Sequence, residues 1–511
     1  MAGSWSDGYI SDINYTFGFY HEMTPAHLAQ AALIRRVRAP APDGMLNYCE
    51  LGCGQGYGTN VLAAANPHIS FVANDFNPSQ IAGARALAAE ADLSNVRFLD
   101  DSFAQMVERT DLPEFDIISL HGIYSWISAE NRAHIVEFIR RRLKVGGIVY
   151  ISYNAMPGWA AAMPLRRLLT DEAAHLGNAP IVERIDQAMT LTNELAEMGV
   201  GYFNVNPSVG ERLKRLGGQS RSYLAHEYFN QDWTPFYVTD VAKELSAAKL
   251  DWACSANMID SFPALTLKSE QQQFLAKINP PIRREMLRDI ILNQQFRRDI
   301  FVKGSQEIPT AEVDRIWGAT VYTLASPRQK ISLRVQTPLG QVELQPTVYQ
   351  PVIDALSQAP ASGSQLHAQL AGSGLQLAHV AQAVNVLNAL GFVQPALPAH
   401  GIEARRVQAH RFNDVIMRRA LHSGDLVVLA SPLTGSGLSV DRIIILFLFA
   451  IKEQQEPVQF VFQALEKANQ RLMRDGKPVA SAEENRQELV TLYQSFIELG
   501  HLDVYRHLQL I

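Results

Sequence analysis

Between residues 46 and 153, short apolar runs alternate with longer stretches of helical spacing, the form that strand-helix-strand units take in a sequence. Strands are expected at 46–51, 69–74, 96–99, 115–120 and 147–152, with helices at 59–65, 79–91 and 131–143. A further helix precedes the first strand at 25–37, where Leu28, Ala32 and Ile34 share a face able to cover one sheet edge. The fold class this predicts is α/β, a parallel sheet with appended, mostly helical domains. After Asn154 the alternation stops, and Pro157, Gly158 and Pro164 interrupt the chain before helical segments that reach about residue 200. Residues 222–255 mix aromatics (Tyr223, Tyr228, Phe229, Trp233, Phe236, Tyr237) with an amphipathic stretch at 238–250. Residues 332–348 alternate in strand fashion around the turn Pro338-Leu339-Gly340. Helices at 352–356, 365–370 and 378–390, closed by a short hairpin at 391–393, have the order of a winged helix. Residues 394–399 read as a linker. The domains expected are therefore 1–155, a mainly helical 156–330, a winged-helix-like module at 331–398, and a mostly helical 399–511.

Length and composition narrow this further. The 511 residues suffice for three to four domains, and 47% apolar with 19% charged residues is globular composition. Lys plus Arg number 45 against 51 Asp plus Glu, a net charge of −6, so non-specific binding of nucleic acid by bulk charge is not expected. Residues 335–404 hold no Lys or Arg at all, so the winged-helix-like module lacks the cations to neutralise phosphates and reads as a protein-recognition or structural element. Cys49, Cys53 and Cys254 form neither a disulfide framework nor a zinc motif, and no metal is expected. The longest apolar run, 443–451 between Arg442 and Lys452, is too short to span a bilayer, and residues 1–8 lack a signal-peptide pattern. The expectation is a soluble, cytoplasmic protein without membrane insertion.

The sharpest chemical signal is Glu50-Leu51-Gly52-Cys53-Gly54-Gln55-Gly56-Tyr57-Gly58, between the first strand and a helix. Glycines at 52, 54 and 56 let the backbone turn tightly and approach a ligand. The spacing departs from the dinucleotide fingerprint, and an acid stands two positions before the first glycine; both suit S-adenosylmethionine better than NAD. Asp75 follows the second strand, where a carboxylate can accept from both ribose hydroxyls, and Asp101 follows the third, within reach of an adenine amino group. The alternative for any one of these acids alone is a helix N-cap or a solvated turn residue. Together they meet at the C-terminal strand edge, where open α/β sheets bind ligands.

This motif, with Asp75, Asp101 and the turn Leu143-Lys144-Val145-Gly146-Gly147, resembles the class I S-adenosylmethionine-dependent methyltransferases over residues 15–155. Ser152-Tyr153-Asn154-Ala155-Met156-Pro157-Gly158 and Tyr223-Leu224-Ala225-His226-Glu227-Tyr228-Phe229 resemble bacterial members with a methyltransferase regulatory domain, among them rickettsial protein lysine methyltransferases acting on an outer-membrane surface protein. The resemblance implies a Rossmann-like methyltransferase sheet and S-adenosyl-L-methionine as cofactor. It places Glu50, Gly52, Cys53, Gly54, Gly56, Asp75, Phe76, Asp101, Ser102, Phe103 and His121 around that cofactor. It further implies a polypeptide acceptor methylated on lysine, with the appended domains gripping the polypeptide. A small-molecule acceptor, with those domains covering a pocket or forming a homodimer, is the alternative.

The Asn/Asp-Pro-Pro-Tyr loop of many amino-methyltransferases is replaced here by Ser119-Leu120-His121-Gly122-Ile123-Tyr124-Ser125-Trp126. His121 and Tyr124 are the candidates for orienting or deprotonating an amine, against the reading in which His121 packs on adenosine and Tyr124 is wall. Tyr15, Phe17, Phe19 and Tyr20 form either a lid beside the sulfonium or a hydrophobic staple. Trp126, Tyr153, Asn154 and Trp159 are placed on the acceptor side, with loop packing as the competing reading. His226-Glu227-Tyr228-Phe229-Asn230 begins like a zinc-protease motif, but its fifth residue is not His.

Overall fold

In a computed structural model describing residues 16–177, 179–474 and 476–511, the predicted alternation forms five strands of a seven-stranded sheet. Its strands are β1 (Asn47–Leu51), β2 (Ser70–Asn74), β3 (Val96–Leu99), β4 (Phe115–Leu120), β5 (Leu143–Asn154), β6 (Leu250–Ser255) and β7 (Phe296–Lys303). They lie in the order β3-β2-β1-β4-β5-β7-β6, with β1 to β5 parallel and β7 antiparallel to both its neighbours. Side-chain alternation feeds two cores. Tyr48, Phe71, Ala73, Ile117, Ile148 and Tyr150 enter one, while Cys49, Val72, Ile118, Val149 and Ile151 enter the other. Burying each such apolar side chain contributes about 1.5–3 kcal/mol.

Helices α1 (Pro25–Ile34), α2 (Tyr57–Ala65), α3 (Pro78–Glu90), α4 (Phe103–Glu108) and α5 (Ala129–Arg142) flank these strands. Their starts are set by local chemistry. The Asn77 side chain accepts from Ser79 N–H and Pro78 opens α3, Ser102 and Gln105 form a capping box on α4, and Ser128 caps α5. The caps matter for function because each follows a strand whose C-terminal end carries a candidate site residue.

The expected boundary at 155 does not close the sheet, because β6 and β7 come from the segment expected to be mainly helical. An open edge at β5 would leave its backbone groups unpaired, and β7 satisfies them. The rest of that segment does form helices: α6 (Met163–His175), α7 (Ile181–Glu197), α8 (Gly201–Val205), α9 (Pro207–Gly217) and α10 (Arg221–Tyr228) share a separate core around Leu165, Leu169, Ile185 and Leu224. The next helix, α11 (Val238–Ser246), returns to the sheet through Val241 and Leu245.

The winged-helix-like module begins before residue 331. Strand β8 (Val321–Leu324) lies between two later strands of that module, and Trp317 is in its core. The predicted hairpin is β9 (Arg334–Thr337) with β10 (Gly340–Glu343). Strand β11 (Ala361–Ser362) flanks β8 on one side. The short hairpin expected at 391–393 is instead strand β12 (Val393–Ala396), paired with β8 on its other side. The C-terminal residues supply helices, the hairpin of β13 (Val428–Ser431) with β14 (Ser436–Ser439), and a shorter antiparallel pair, Met473–Arg474 with Lys477–Pro478. Phe412, Leu429, Ile445 and Phe447 share a core with Tyr48 and Val61, so this segment packs directly against α2. The apolar run 443–451 lies within helix Arg442–Lys452. Among the described residues no helix is long and apolar enough to cross a membrane.

Beside the β5–β7 pairing lies a buried ion cluster. Arg297 donates to both Asp299 oxygens at 2.8 Å, to Asp289 at 2.5 Å and to Glu285 at 3.1 Å. Asp299 also accepts from Tyr153 Oη at 2.6 Å and Trp252 Nε1 at 2.9 Å. Removing one partner of such a cluster leaves uncompensated buried charge. Arg297→Ala is therefore expected to lower stability by about 3–5 kcal/mol in urea unfolding followed by tryptophan fluorescence. Breaking the exposed Lys214–Glu211 pair is expected to change it by under about 1 kcal/mol.

Candidate active site

The C-terminal ends of β1 to β5 open into a cleft of about 440 Å³, closed on one side by residues 16–23 and on the other by α10 and the start of β7. The loop after β1 turns through positive φ at Gly52 (72°), Gly54 (54°) and Gly56 (63°). Gly52 and Gly54 line the cleft with Cys53. Gly56 does not, which corrects its assignment to the cofactor. A Cβ there would stand 2.5 Å from Ala84 Cβ and 2.7 Å from Phe98 Cε1, so this glycine lets α2 begin close against α3 and β3.

The three carboxylates all reach the cleft. Glu50 is buried and accepts from Thr59 Oγ1; burial, with a smaller push from Asp75, raises it to about 7 against the lowering effect of that hydrogen bond. Asp75 accepts from Gly54 N–H at 2.9 Å and Asn77 N–H at 3.0 Å, and burial raises it to about 6 against those two bonds. Asp101 is held by the Arg109 guanidinium, and its carbonyl accepts from Asn74 Nδ2 at 2.9 Å. Phe76, Ser102 and Phe103 line the cleft alongside, and Ser102 also caps α4.

His121, at the end of β4, lies under the Tyr20 ring with centroids 3.4 Å apart. Its Nδ1 shares a hydrogen bond of 2.7 Å with Tyr150 Oη. Burial, and then the nearby Arg298 charge, lower it to about 3, so the imidazole is neutral at physiological pH. Two assignments are corrected by strand parity and loop direction. Tyr124 is fully buried away from the cleft, its hydroxyl donating to Glu244 at 2.5 Å. Tyr153 points to the sheet face opposite Asn154 and serves the Asp299 cluster. Tyr15 lies outside the described residues.

Tyr20, Trp126, Asn154 and Trp159 do face the cleft. Asn154 Nδ2, Trp126 Nε1 and Asn74 Oδ1 are buried without a protein partner. Buried polar atoms of this kind are normally satisfied, so three of them around one cleft fit a polar ligand with both donors and acceptors, as a nucleoside amino acid is.

Sequence reasoning missed the far wall. Arg212, Tyr223, His226, Glu227, Tyr228, Asp232, Gln295 and Phe296 all line the cleft. Arg212 donates to Tyr228 Oη at 3.0 Å and Gln295 Oε1 at 2.7 Å, and stacks 4.2 Å over Trp159. Backbone bonds hold the wall in place: Ala155 N–H and Gly158 N–H donate to the carbonyls of Gln295 and Gln294, both at 2.9 Å. A Cβ at Gly158 would stand 2.4 Å from Gln294 O, so that approach requires glycine. The aromatic density at 223–237 was the available signal, but nothing local tied it to the sheet edge.

Comparisons with known proteins agree with this layout. A methyltransferase-domain family model matches residues 42–199, and a predicted methyltransferase regulatory domain model matches residues 220–303. An uncharacterised protein of Synechocystis sp. is 42% identical over 493 residues, covering 96% of this chain and 97% of that one. An uncharacterised protein of Rickettsia prowazekii is 26% identical over 300 residues, 57% of this chain and 51% of its own length. Among solved structures, PKMT2 from Rickettsia typhi in complex with AdoHcy shares the fold with a TM-score of 0.67 at 18% identity, over 95% of this chain and 99% of that one. With the glycine loop, the ordered sheet and the regulatory segment that completes it, the chain belongs to the class I S-adenosylmethionine-dependent methyltransferases that carry a methyltransferase regulatory domain.

Proposed function

We propose that this methyltransferase acts on the side-chain amine of lysine in a polypeptide acceptor. The observation that carries the reading is the composition of the acceptor wall, where the rings of Trp159, Tyr223, Tyr228 and Phe296 stand with the carboxylates of Glu227 and Asp232. Aromatic faces and carboxylates both attract a cation. An ammonium group suits that wall, and a phosphate or carboxylate does not. The positive charge of Arg212 is already engaged by Trp159, Tyr228 and Gln295. The solved rickettsial structure of the same fold bears the name of a protein lysine methyltransferase, which supports the same acceptor class.

S-adenosylmethionine, when bound, supplies an electrophilic methyl on a sulfonium sulfur. In this reading Glu50 holds its methionine end, Asp75 accepts from the ribose hydroxyls, and Asp101 with Ser102 and Phe103 frames the adenine. Lysine amines have an ordinary pKa near 10.4, so the ammonium must shed a proton to water before its nitrogen can attack. The aromatic rings lower that cost by desolvating the charge, against the opposite effect of Glu227 and Asp232, which favour the bound ammonium. The neutral nitrogen then displaces sulfur at the methyl carbon, and alignment with exclusion of water supplies the acceleration. His121, held neutral to about pH 3, is too weak a base to take the proton and instead orients Tyr20 over the cleft.

Incubation of host lysate with the enzyme and methyl-labelled cofactor tests the proposal. Label on protein lysine in methyl steps, lost with Asp75→Ala, is the expected result; label confined to the low-mass fraction overturns it in favour of a small amine. Asp75→Ala is expected to weaken S-adenosylhomocysteine binding about ten- to hundredfold by calorimetry, the worth of one or two hydrogen bonds to a charged acceptor. Because Glu50 and Asp75 are raised to about 7 and about 6, wild-type affinity is expected to be full above about pH 8 and to fall as the pH drops through those two values. Glu227→Gln with Asp232→Asn is expected to raise the acceptor KM about tenfold while leaving the cofactor Kd unchanged. Initial rates at subsaturating acceptor are expected to climb about tenfold per pH unit below the lysine pKa. His121→Phe should keep that slope; a break near pH 6.5 that this substitution abolishes would make His121 the base after all.

A further inference from the structure

The wall formed by residues 16–23 carries Phe19 and Tyr20 over the cleft, and Met23 lines it as well. The methyltransferase sheet holds this segment through Tyr48 Oη, which donates to Met23 O at 2.9 Å, through the Arg298–Glu22 ion pair at 3.3 Å and through His121 stacked on Tyr20, and the Gly18 carbonyl lies against Gly58 at the start of α2. Its other anchor comes from the far end of the chain. Ser436 Oγ in β14 is within 3.0 Å of both His21 Nδ1 and Thr24 Oγ1, and Ser436 is 1% exposed. The next residue, Gly437, leaves room for the Phe19 ring and for Val61 of α2, whose atoms would stand 3.0 and 2.7 Å from a Cβ there. The same hairpin grips α2 just after the glycine loop. Tyr57 Oη donates to Val428 O at 2.9 Å and accepts from Val428 N–H at 2.8 Å, and Asn66 Nδ2 donates to Gly435 O at 2.7 Å. Phe17 packs edge-on to Tyr57, with centroids 6.1 Å apart.

We propose that Ser436 of the C-terminal hairpin is a positioning residue for the cofactor, fixing the 16–23 lid over the cleft through its paired bonds to His21 and Thr24. The C-terminal segment thereby completes the cofactor site in cis. A lid that is already ordered loses less conformational freedom when a ligand binds beneath it. The hydroxyl contributes by holding Phe19 and Tyr20 where they meet the ligand, without touching it. The segment has this role whichever acceptor is used, so the proposal stands or falls separately from the lysine reading.

The test measures S-adenosylhomocysteine binding to the full-length protein by calorimetry and its release by stopped flow, at a temperature where circular dichroism shows every variant folded. Ser436→Ala is expected to raise the Kd about three- to tenfold, the equivalent of one hydrogen bond's net worth passed to the ligand, with the change in the release rate. His21→Phe keeps the ring and breaks one of the two bonds, so a smaller rise in the same direction is expected; it carries the test if Ser436→Ala does not fold. Asn66→Ala loosens the hairpin on α2 without touching the lid bonds, and it is expected to lower the melting temperature while leaving the Kd within about twofold. A Kd unchanged in Ser436→Ala and His21→Phe despite lowered melting temperatures would reduce the hairpin to a structural brace and overturn the proposal. An equal rise in Asn66→Ala would overturn it too, since docking of the hairpin as a whole, rather than the Ser436 bonds, would then set affinity.

Discussion

The antiparallel pairing of β7 with β5 runs from Ile148 opposite Val302 to Asn154 opposite Phe296, and the arrangement of the cleft follows from its register. Because side chains alternate along a strand, the register that sets Asn154 beside Phe296 also brings Gln295 under the loop after β5 and leaves Tyr153 on the other face with Asp299. A slip of β7 by one residue would exchange its own faces and turn the Arg297 side chain toward the cleft in place of Phe296. The Arg297 cluster resists such a slip, since its guanidinium has carboxylate partners on β7 itself and on the preceding helix Pro281–Leu292. A buried ion cluster is a poor source of net stability, but a slip that parted Arg297 from these carboxylates would leave buried charge uncompensated.

That pairing also explains why the regulatory segment is inseparable from the catalytic sheet. Its strands complete the sheet edge, and its helix α10 stands over the opening as the far wall of the cleft. The methyltransferase core alone would present a cofactor cleft with one side open to water, whereas methyl transfer depends on alignment in a dry site. Two segments distant in sequence make the same kind of contribution: residues 220–303 wall one side of the cleft, and the C-terminal hairpin braces the lid on the other. The chain is thus organised around one cleft, with distant segments each supplying a surface.

How much of this the sequence disclosed depended on whether the signal was local. The five parallel strands and the glycine loop were readable because each is bounded by its own turn residues and caps, such as Asn77 and Ser102. The placement of Glu50, Asp75 and Asp101 at one edge followed from topology. Gly56 was misread because three glycines in one loop look alike in sequence, although one serves helix packing against Ala84 and Phe98. Tyr153 could have been excluded by parity alone, given Asn154 next to it. Tyr124 could not, since its direction depends on a loop whose partner, Glu244, lies in a distant helix. The acceptor wall was unreadable for the same reason: β7 is adjacent to β5 only in space, so the aromatics of 223–237 had no visible destination.

The environment of His121 bears on how such a site works without a strong base. The ring lies beneath Tyr20, bonds to Tyr150 and shares its surroundings with the Arg298 charge. Burial and then the Arg298 charge disfavour an imidazolium, against a smaller opposing effect of Glu22, so His121 itself adds no positive charge at the end of β4. Glu50 and Asp75, raised toward neutrality by the same burial, ionise most readily when a positive group or paired donors arrive to offset the lost solvation. The site therefore gains favourable charge interactions only as its ligands fill it. That is the electrostatic behaviour expected of an enzyme that brings a sulfonium and a methyl acceptor into one cavity and relies on the order of the cavity rather than on proton transfer.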